Sequence, residues 1–449
     1  MDGKADPAAI SRAFRRRLAL AAAAGFLLRF AVVHWVPTQP TSDFWGYYHR
    51  ALNLVATGKY EAIYGRADAT HPPLYALAIG PAIALFPAHT LGAAKAVNCG
   101  LAALAIVLAG LLARRIGGER AGIAAAWILA LFPRSVLMPC LVASENLYSP
   151  ILFGLVWVLV ESARARKTAG LAMAAGLLIG LAALTRTVAY YMFPIWILPA
   201  LAARRKWRRI LGELALLLLV EHAVMLPWAL RNRAVLGRFL FTNTAGGYGL
   251  YLGNNPKATG DWYDGSADLN RIERNIFSRG ALAVDDASRR AAWQWMRENP
   301  RRALRLYFVK FGMIFHQTYI MASFAVSGEK VTPPVPGIDV LPGPHYLKQH
   351  LHALNGVLFV TGWALVSAGI GGWIVLFARA ARARTADAWG TALVLPAATL
   401  FVPVISALIA VNGRYRWPVE DLLVPAAAVL VAAALEAGRR LRTPPATAG

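Results

Sequence analysis

The polar residues of this chain that could do chemistry gather in short stretches between long apolar runs. Asp43 stands in Ser42-Asp43-Phe44-Trp45-Gly46-Tyr47-Tyr48. A carboxylate among aromatic rings is partly desolvated, which suits general-base work on a hydroxyl. A helix cap is the structural alternative, since aspartate is a preferred capping residue. Glu145, in Ala143-Ser144-Glu145-Asn146-Leu147-Tyr148, opens an apolar run. It is either functional, as ionisable residues at that depth tend to be, or an acid favourably placed in a helix's first turn.

Arg186 and Arg414-Tyr415-Arg416 lie at ends of apolar runs where basic residues are otherwise scarce. Arginine's fork matches phosphate oxygens; a salt bridge to Glu145, Glu420 or Asp421 is the alternative. Lys310 is a further phosphate candidate, whereas Lys95 is expected to snorkel. His71 precedes Pro72-Pro73 and could join Asp43 and Glu145 around a divalent metal, although no spacing enforces such a set. No cofactor is assumed. Asn254 and Asn255 either bond ligand hydroxyls or shape the turn before Pro256. Glu221 and His222 lie inside an apolar run, where a structural hydrogen bond is expected to hold the glutamate.

The elements that must position these residues are membrane spans. The chain has 449 residues, 57% of them hydrophobic and 16% charged, against about 25% charged in a soluble domain. Its net charge of +24 is carried largely by clusters between apolar runs: Arg12 to Arg17, Arg114-Arg115 with Arg120, Arg164 to Lys167, Arg204 to Arg209, Arg379 to Arg384 and Arg439 to Arg442. That pattern follows the positive-inside rule and argues against nucleic-acid binding. With every cluster cytoplasmic, spans fall near 18–36, 91–113, 121–138, 146–163, 169–186, 188–202, 209–229, 353–377, 388–411 and 420–437. Pro72 to Pro87 and 303–325 read as interfacial or re-entrant helices. The fold class is thus all-α and polytopic, with about ten spans and two long loops, near 38–90 and 230–302, on the non-cytoplasmic side. Cys99 and Cys140 have no ligand spacing and read as buried small apolar residues. No phosphate-cradling Gly-rich loop and no nucleotide-binding βαβ pattern is present, so a donor dissolved in the bilayer fits better than a nucleotide sugar.

Taken in order, these residues resemble the GT-C superfamily of polytopic glycosyltransferases, with the nearest likeness to bacterial relatives of protein O-mannosyltransferases and of the lipid A aminoarabinose transferase. The first loop is similar through Asp43, Tyr47, Ala51-Leu52, Thr57-Gly58-Lys59-Tyr60 and His71-Pro72-Pro73-Leu74-Tyr75. Ser144-Glu145-Asn146-Leu147-Tyr148, Leu184-Thr185-Arg186, Gly253-Asn254-Asn255-Pro256 with Thr259-Gly260, and Arg414-Tyr415-Arg416 with Pro418 continue the likeness. Phe44 departs from it: many members carry a second acid there, which weakens a metal-dependent reading.

The resemblance implies a GT-C-like bundle of about 10–12 transmembrane helices with interfacial helices in both loops. It divides the chain into a seven-span module (1–229), a second periplasmic loop (230–302) and a variable C-terminal membrane module (303–449). It implies inverting transfer of a sugar from a polyprenyl-phosphate donor to a lipid, glycan or protein acceptor at the periplasmic face of a bacterial inner membrane, with the N-terminus cytoplasmic. Asp43 would be the base and Glu145 its assistant. Arg414, with Arg186, Arg416 and Lys310, would bind donor phosphate. Tyr47, His71, Asn254 and Asn255 would contact sugar or acceptor. The alternatives are a transporter or flippase of lipid-linked glycan, a non-enzymatic assembly or export subunit, and an O-antigen ligase-like glycan transferase.

Overall fold

The structure, a computed structural model, describes residues 10–36, 38–40, 42–61, 69–316, 351–411 and 413–442. Helices α1 (Arg12–Trp35), α2 (Ser42–Thr57), α3 (Leu74–Leu85), α4 (Thr90–Gly117), α5 (Glu119–Leu131), α6 (Pro133–Leu137), α7 (Glu145–Ser162) and α8 (Ala169–Ala183) come first. They are followed by α9 (Ile197–Ala202), α10 (Trp207–Leu236), α11 (Gly246–Gly253), α12 (Ser266–Ile272), α13 (Ala281–Glu298) and α14 (Pro300–His316). The last three are α15 (Leu351–Ala383), α16 (Ala386–Ser406) and α17 (Trp417–Arg442). No strand forms among the described residues; one isolated bridge joins Asp261 to Val411.

Six helices among the described residues are long and apolar enough to cross a membrane, and α5 with α6 and the turn after it makes a bent seventh. The chain is a multi-pass membrane protein. Helices in lipid gain little from hydrophobic burial against one another and associate through close packing of small residues. Gly176 and Gly180 of α8 lie directly on the α10 backbone at Leu217 and Glu221, and Gly372 of α15 lies on Ala426 of α17. α17, enclosed by α4, α5, α7, α15 and α16, is the most buried of the spans.

The spans differ from expectation where proline intervenes. The run near 121–138 bends by 56° because Phe132, preceding Pro133, is extended, and the helix restarts with proline in its first turn. The carbonyls of Leu129 and Ala130 lose their helical donors there. Arg29 of α1 donates to both carbonyls, at 2.7 and 2.9 Å, and to Ser135 Oγ at 2.8 Å. The run near 188–202 is not one helix: it forms 3-10 turns at Thr187–Tyr191 and Phe193–Trp196 before α9, with Pro194 and Pro199 removing backbone donors. α10 runs to Leu236, past its expected end, and stops at Gly237 in the left-handed region (φ 72°). Of the 303–325 segment, α14 is a separate amphipathic helix to His316; the rest lies outside the described residues.

The basic clusters meet at one end of the bundle. Arg114 lies 3.8 Å from Glu119, Arg120 lies 3.7 Å from Glu436, and Arg205 and Arg209 lie 2.8 and 2.9 Å from Glu213. Arg115 pairs with Glu161, and Arg164 with Asp387. Both long loops lie at the opposite end, the loop end. The second is a small helical layer, α11 to α13, with its own apolar core of Tyr251, Leu252, Leu269, Ile276 and Ala287. It is tied to the first loop by Thr244 N to Ala69 O (3.0 Å), and to the segment after α16 by Ala410 N to Gly249 O (3.0 Å) and Val411 N to Gly260 O (3.1 Å). These bonds fix the approach to Arg414.

Candidate active site

α2 begins with Ser42 at φ 51°, and Asp43 follows inside the first turn, where the helix dipole favours an anion. Asp43 is therefore not the cap. Its Oδ2 accepts from Arg414 Nη1 at 2.8 Å, and its Oδ1 lies 3.7 Å from His71 Nε2. Glu145, at the start of α7, is 2% exposed. Arg186 Nη1 reaches its Oε1 at 2.6 Å, and Arg414 binds it through Nε at 3.1 Å and Nη2 at 3.4 Å. Arg414 thus bridges both carboxylates. Its guanidinium also lies over the Phe44 ring at 4.5 Å and near Trp417 at 5.8 Å. Those rings exclude water from one face of the cation and strengthen its charge interactions.

Two arginines and two carboxylates make a neutral quartet, and its members differ in access. Glu145 and Arg414 are enclosed; the Asp43 side chain is 57% exposed. Burial by itself would raise the Asp43 carboxyl, but the neighbouring His71 and the positive charge of Arg414 outweigh it and hold it well below the usual carboxylate range. At rest Asp43 is a firmly ionised, weakly basic group.

His71 and Tyr47 form the wall beside Asp43. Their rings meet edge to face at 4.6 Å, and Tyr47 meets Tyr75 at 5.5 Å. His71 Nδ1 contacts Thr70 Oγ1 at 3.1 Å, which accepts from Arg50 at 2.8 Å. The Tyr60 hydroxyl donates to the carbonyls of His71 and Pro72, and Leu74 N bonds Leu184 O. This holds the His-Pro-Pro turn against the end of α8, next to Arg186. Both Glu145 oxygens face arginine, so Asp43 and His71 alone offer donors to an ion; among the described residues no three such groups converge.

Other sequence candidates take structural places. Asn254 and Asn255 do not face this opening: they are 3% and 1% exposed, and their amides donate to the carbonyls of Leu250 and Leu408, and of Tyr251. Their role here is to fold the loop. Lys310 meets no carboxylate among the described residues; its ammonium is buried against Gly253 O (3.1 Å), Asn254 Oδ1 (3.2 Å) and Leu408 O (3.4 Å). Burial lowers it to about 8. Arg416 points away from Arg414, bonding Glu420 at 2.6 Å and the Phe315 carbonyl. Lys95 does not snorkel; its ammonium is buried on Thr38 O at 2.6 Å and fixes the start of the first loop. Among the described residues Glu221 lacks the expected hydrogen bond, and both its buried oxygens have no partner there, whereas His222 contacts Tyr190 and Leu218 O. Cys99 and Cys140 are buried, as expected, beside Val33.

A second ionic layer was not foreseen. Arg134 binds Glu420 at 2.9 Å and also Asp421, which accepts from Ser149. A cavity of about 20 Å³, lined by Arg134, Ser135, Glu145, Asn146, Ser149 and Asp421 among others, joins this layer to the quartet and has room for a water. Arg29 and Arg134 lie at span depth in the sequence, the signal that could have singled them out.

The fold has parallels in known proteins. Residues 70–229 match the family described as dolichyl-phosphate-mannose-protein mannosyltransferase. The archaeal oligosaccharyltransferase AglB of Archaeoglobus fulgidus, solved with an inhibitory peptide and a dolichol-phosphate, matches with TM-score 0.55 at 15% identity, over 96% of this chain and 51% of that one. Its apo form matches with TM-score 0.54 at 16% identity, over 96% and 51%. The chain spans about half the length of these structures. ArnT of Cupriavidus metallidurans bound to undecaprenyl phosphate is matched at TM-score 0.43 and 14% identity, over 91% of this chain and 77% of that one. No curated protein is significantly similar to the chain. Residues 70–229 thus carry the sequence pattern of that mannosyltransferase family, and nearly the whole chain has the fold of GT-C membrane enzymes.

Proposed function

We propose that this protein transfers a sugar from a polyprenyl-phosphate donor to an acceptor hydroxyl, with inversion, at the periplasmic face of a bacterial inner membrane. The observation that carries the reading is the bridging of Asp43 and Glu145 by Arg414, with Asp43 the open member of the quartet. Residues 1–229 would be the conserved module, with the loop at 230–302 and the C-terminal module closing the site.

Among the described residues the quartet offers donor phosphate two cations, and Arg414 is the one paired with the exposed Asp43. Arg186 is held on Glu145. When phosphate takes over the Nη1 edge of Arg414, Asp43 loses the charge that depresses it and becomes a stronger base. Asp43 then removes the acceptor hydroxyl's proton as the oxygen attacks the anomeric carbon opposite the phosphate. The carbon–phosphate oxygen bond breaks, and its electron pair leaves on the polyprenyl phosphate, beside Arg414. General-base assistance contributes roughly 10²–10⁴-fold, and preorganised charge at the leaving group commonly contributes more. Glu145 holds both arginines in place. His71 and Tyr47 line the approach and would contact sugar or acceptor.

Purified protein incubated with a panel of polyprenyl-phosphate sugars and membrane lipid, glycan and peptide acceptors, read by mass spectrometry, tests the proposal. A product one sugar heavier supports it. Movement of lipid-linked glycan across vesicles without a new linkage would favour transport, and transfer of a whole chain would favour a ligase.

A further inference from the structure

At the loop end of the bundle, residues 289–305 hold six arginines, Arg289, Arg290, Arg297, Arg301, Arg302 and Arg305, against one carboxylate, Glu298. This runs against the charge bias of the rest of the chain, whose basic clusters lie at the far end. Folding does not consume the excess. Arg289 pairs with Asp285 at 2.5 Å, Arg290 with Glu273 at 3.3 Å, and Arg302 donates to Pro256 O at 2.7 Å over the Trp295 ring. Arg297, Arg301 and Arg305 are exposed and make no hydrogen bond or ion pair among the described residues.

The spacing gathers the charges beside apolar surface. On α14, Arg301, Leu304, Arg305 and Phe308 fall at i, i+3, i+4 and i+7, one helical face. Leu304 and Phe308 are 60% and 64% exposed. On α13, Arg290, Trp293 and Arg297 share a face in the same way, with Trp293 52% exposed. Side chains of α13, including Arg289, Arg290, Trp293 and Arg297, line an open groove of about 660 Å³. A soluble acidic ligand would need the charge but not the exposed Leu, Phe and Trp. An amphiphile with an anionic head and an apolar body uses both.

We infer that the α13–α14 corner is a docking surface for acidic phospholipid headgroups of the surrounding bilayer. The arginines fork onto phosphodiester oxygens while Trp293, Leu304 and Phe308 enter the acyl boundary. The surface is linked to the candidate active site through α14, which carries Lys310 and, at Phe315, the carbonyl that accepts from Arg416. A lipid bound here anchors the helix that braces the Arg414 turn. The inference rests on the membrane fold and not on the transfer reaction.

Full-length protein is reconstituted into phosphatidylcholine vesicles holding a minor fraction of either acyl-brominated phosphatidylglycerol or acyl-brominated phosphatidylcholine. Quenching at Trp293 is read as the difference between wild type and Trp293→Phe. The expected result is an excess of quenching by brominated phosphatidylglycerol. The triple variant R297A/R301A/R305A should need on the order of 100-fold more of it for the same quenching, and the triple lysine variant should keep most of the excess. A melting temperature of the triple alanine variant unchanged from wild type shows that it is folded, whether or not the protein binds undecaprenyl phosphate. Equal quenching by the two lipids in wild type, or an undiminished excess in the triple alanine variant, overturns the inference. So does loss of the excess on adding millimolar inorganic phosphate, which would mark a free-anion site.

Discussion

Replacing Arg414 by alanine separates the catalytic part of this argument from the structural one. The substitution removes the 2.8 Å contact to Asp43 and the 3.1 and 3.4 Å contacts to Glu145. Asp43 is 57% exposed, so its half of the bridge is worth only about 0–1 kcal/mol to folding. Glu145 is buried, and leaving such a group alone would cost ~3–5 kcal/mol; however, Arg186 remains at 2.6 Å and offsets much of that. A destabilisation of about 1–3 kcal/mol follows, small enough for the protein to be purified. The catalytic loss is larger in proportion. Removing a preorganised donor from the developing anion costs about 10²–10³-fold in kcat, and donor binding loses a charge-assisted hydrogen bond of about 1.5–3 kcal/mol. Arg414→Lys keeps the charge but cannot bridge both carboxylates and a phosphate oxygen, so it should fall between the two. The assay pairs sugar transfer by mass spectrometry with undecaprenyl phosphate binding by native mass spectrometry. Turnover and affinity of Arg414→Ala within a few-fold of wild type, in protein shown to be folded, would remove Arg414 from the phosphate site.

The remaining predictions concern neighbouring groups. Asp43→Asn should retain undecaprenyl phosphate binding and lose turnover by at least about 10²-fold; near-normal transfer would end its assignment as base. The Asp43 carboxyl lies below the usual range at rest, and on the proposed mechanism it rises when phosphate takes Arg414. The acid limb of kcat, which reports the donor complex, should therefore lie at higher pH than that of kcat/KM; coincident limbs would exclude the hand-over. Lys310 titrates near 8 when folded against about 10.4 when unfolded. Between these values the unfolded chain binds more protons, so stability rises with pH; a pH series of melting temperatures should show that rise in wild type and lack it in Lys310→Met. Glu221→Leu should raise stability by about 1–2 kcal/mol, because an unbonded buried carboxyl is replaced by an apolar group of similar size; a clear loss in a thermal melt would reveal a partner for Glu221.

The scaffold was more legible in the sequence than the site. The alternation of basic clusters with apolar runs placed the loops together because charge near a span resists crossing, a rule that needs no tertiary information. The ends of α5 and α9 were harder. Pro133, Pro194 and Pro199 announce breaks, but not that Arg29 on another helix would satisfy the carbonyls a break exposes. Arg414 and Arg416 stand two residues apart with the same side chain, yet a 3-10 turn sends one to Asp43 and Glu145 and the other to Glu420. Asn254 carries groups equally suited to a sugar hydroxyl and to the carbonyl of Leu408, and only the tertiary approach of a segment 154 residues away decides between them.

For Arg186 and Arg414 the sequence left phosphate binding and salt bridging as rival readings, and the quartet makes them compatible. A polyprenyl-phosphate sugar is a phosphodiester with one negative charge; the polyprenyl phosphate that leaves gains a second as the new glycosidic bond forms. In the same step, on the proposed mechanism, Asp43 would take up the acceptor's proton and lose its charge. The net charge of the site is unchanged, and the negative charge only moves from Asp43 to the departing phosphate. Arg414, already paired with Asp43, would face both positions, with Glu145 and the Phe44 ring fixing its plane. A cation that faces the charge both before and after transfer needs little reorganisation during the step, which is the condition under which electrostatic stabilisation is most effective. On the proposed mechanism the salt bridge seen at rest is the ground-state half of the same device: Asp43 occupies the position that phosphate would claim, and keeps a buried arginine neutralised until then.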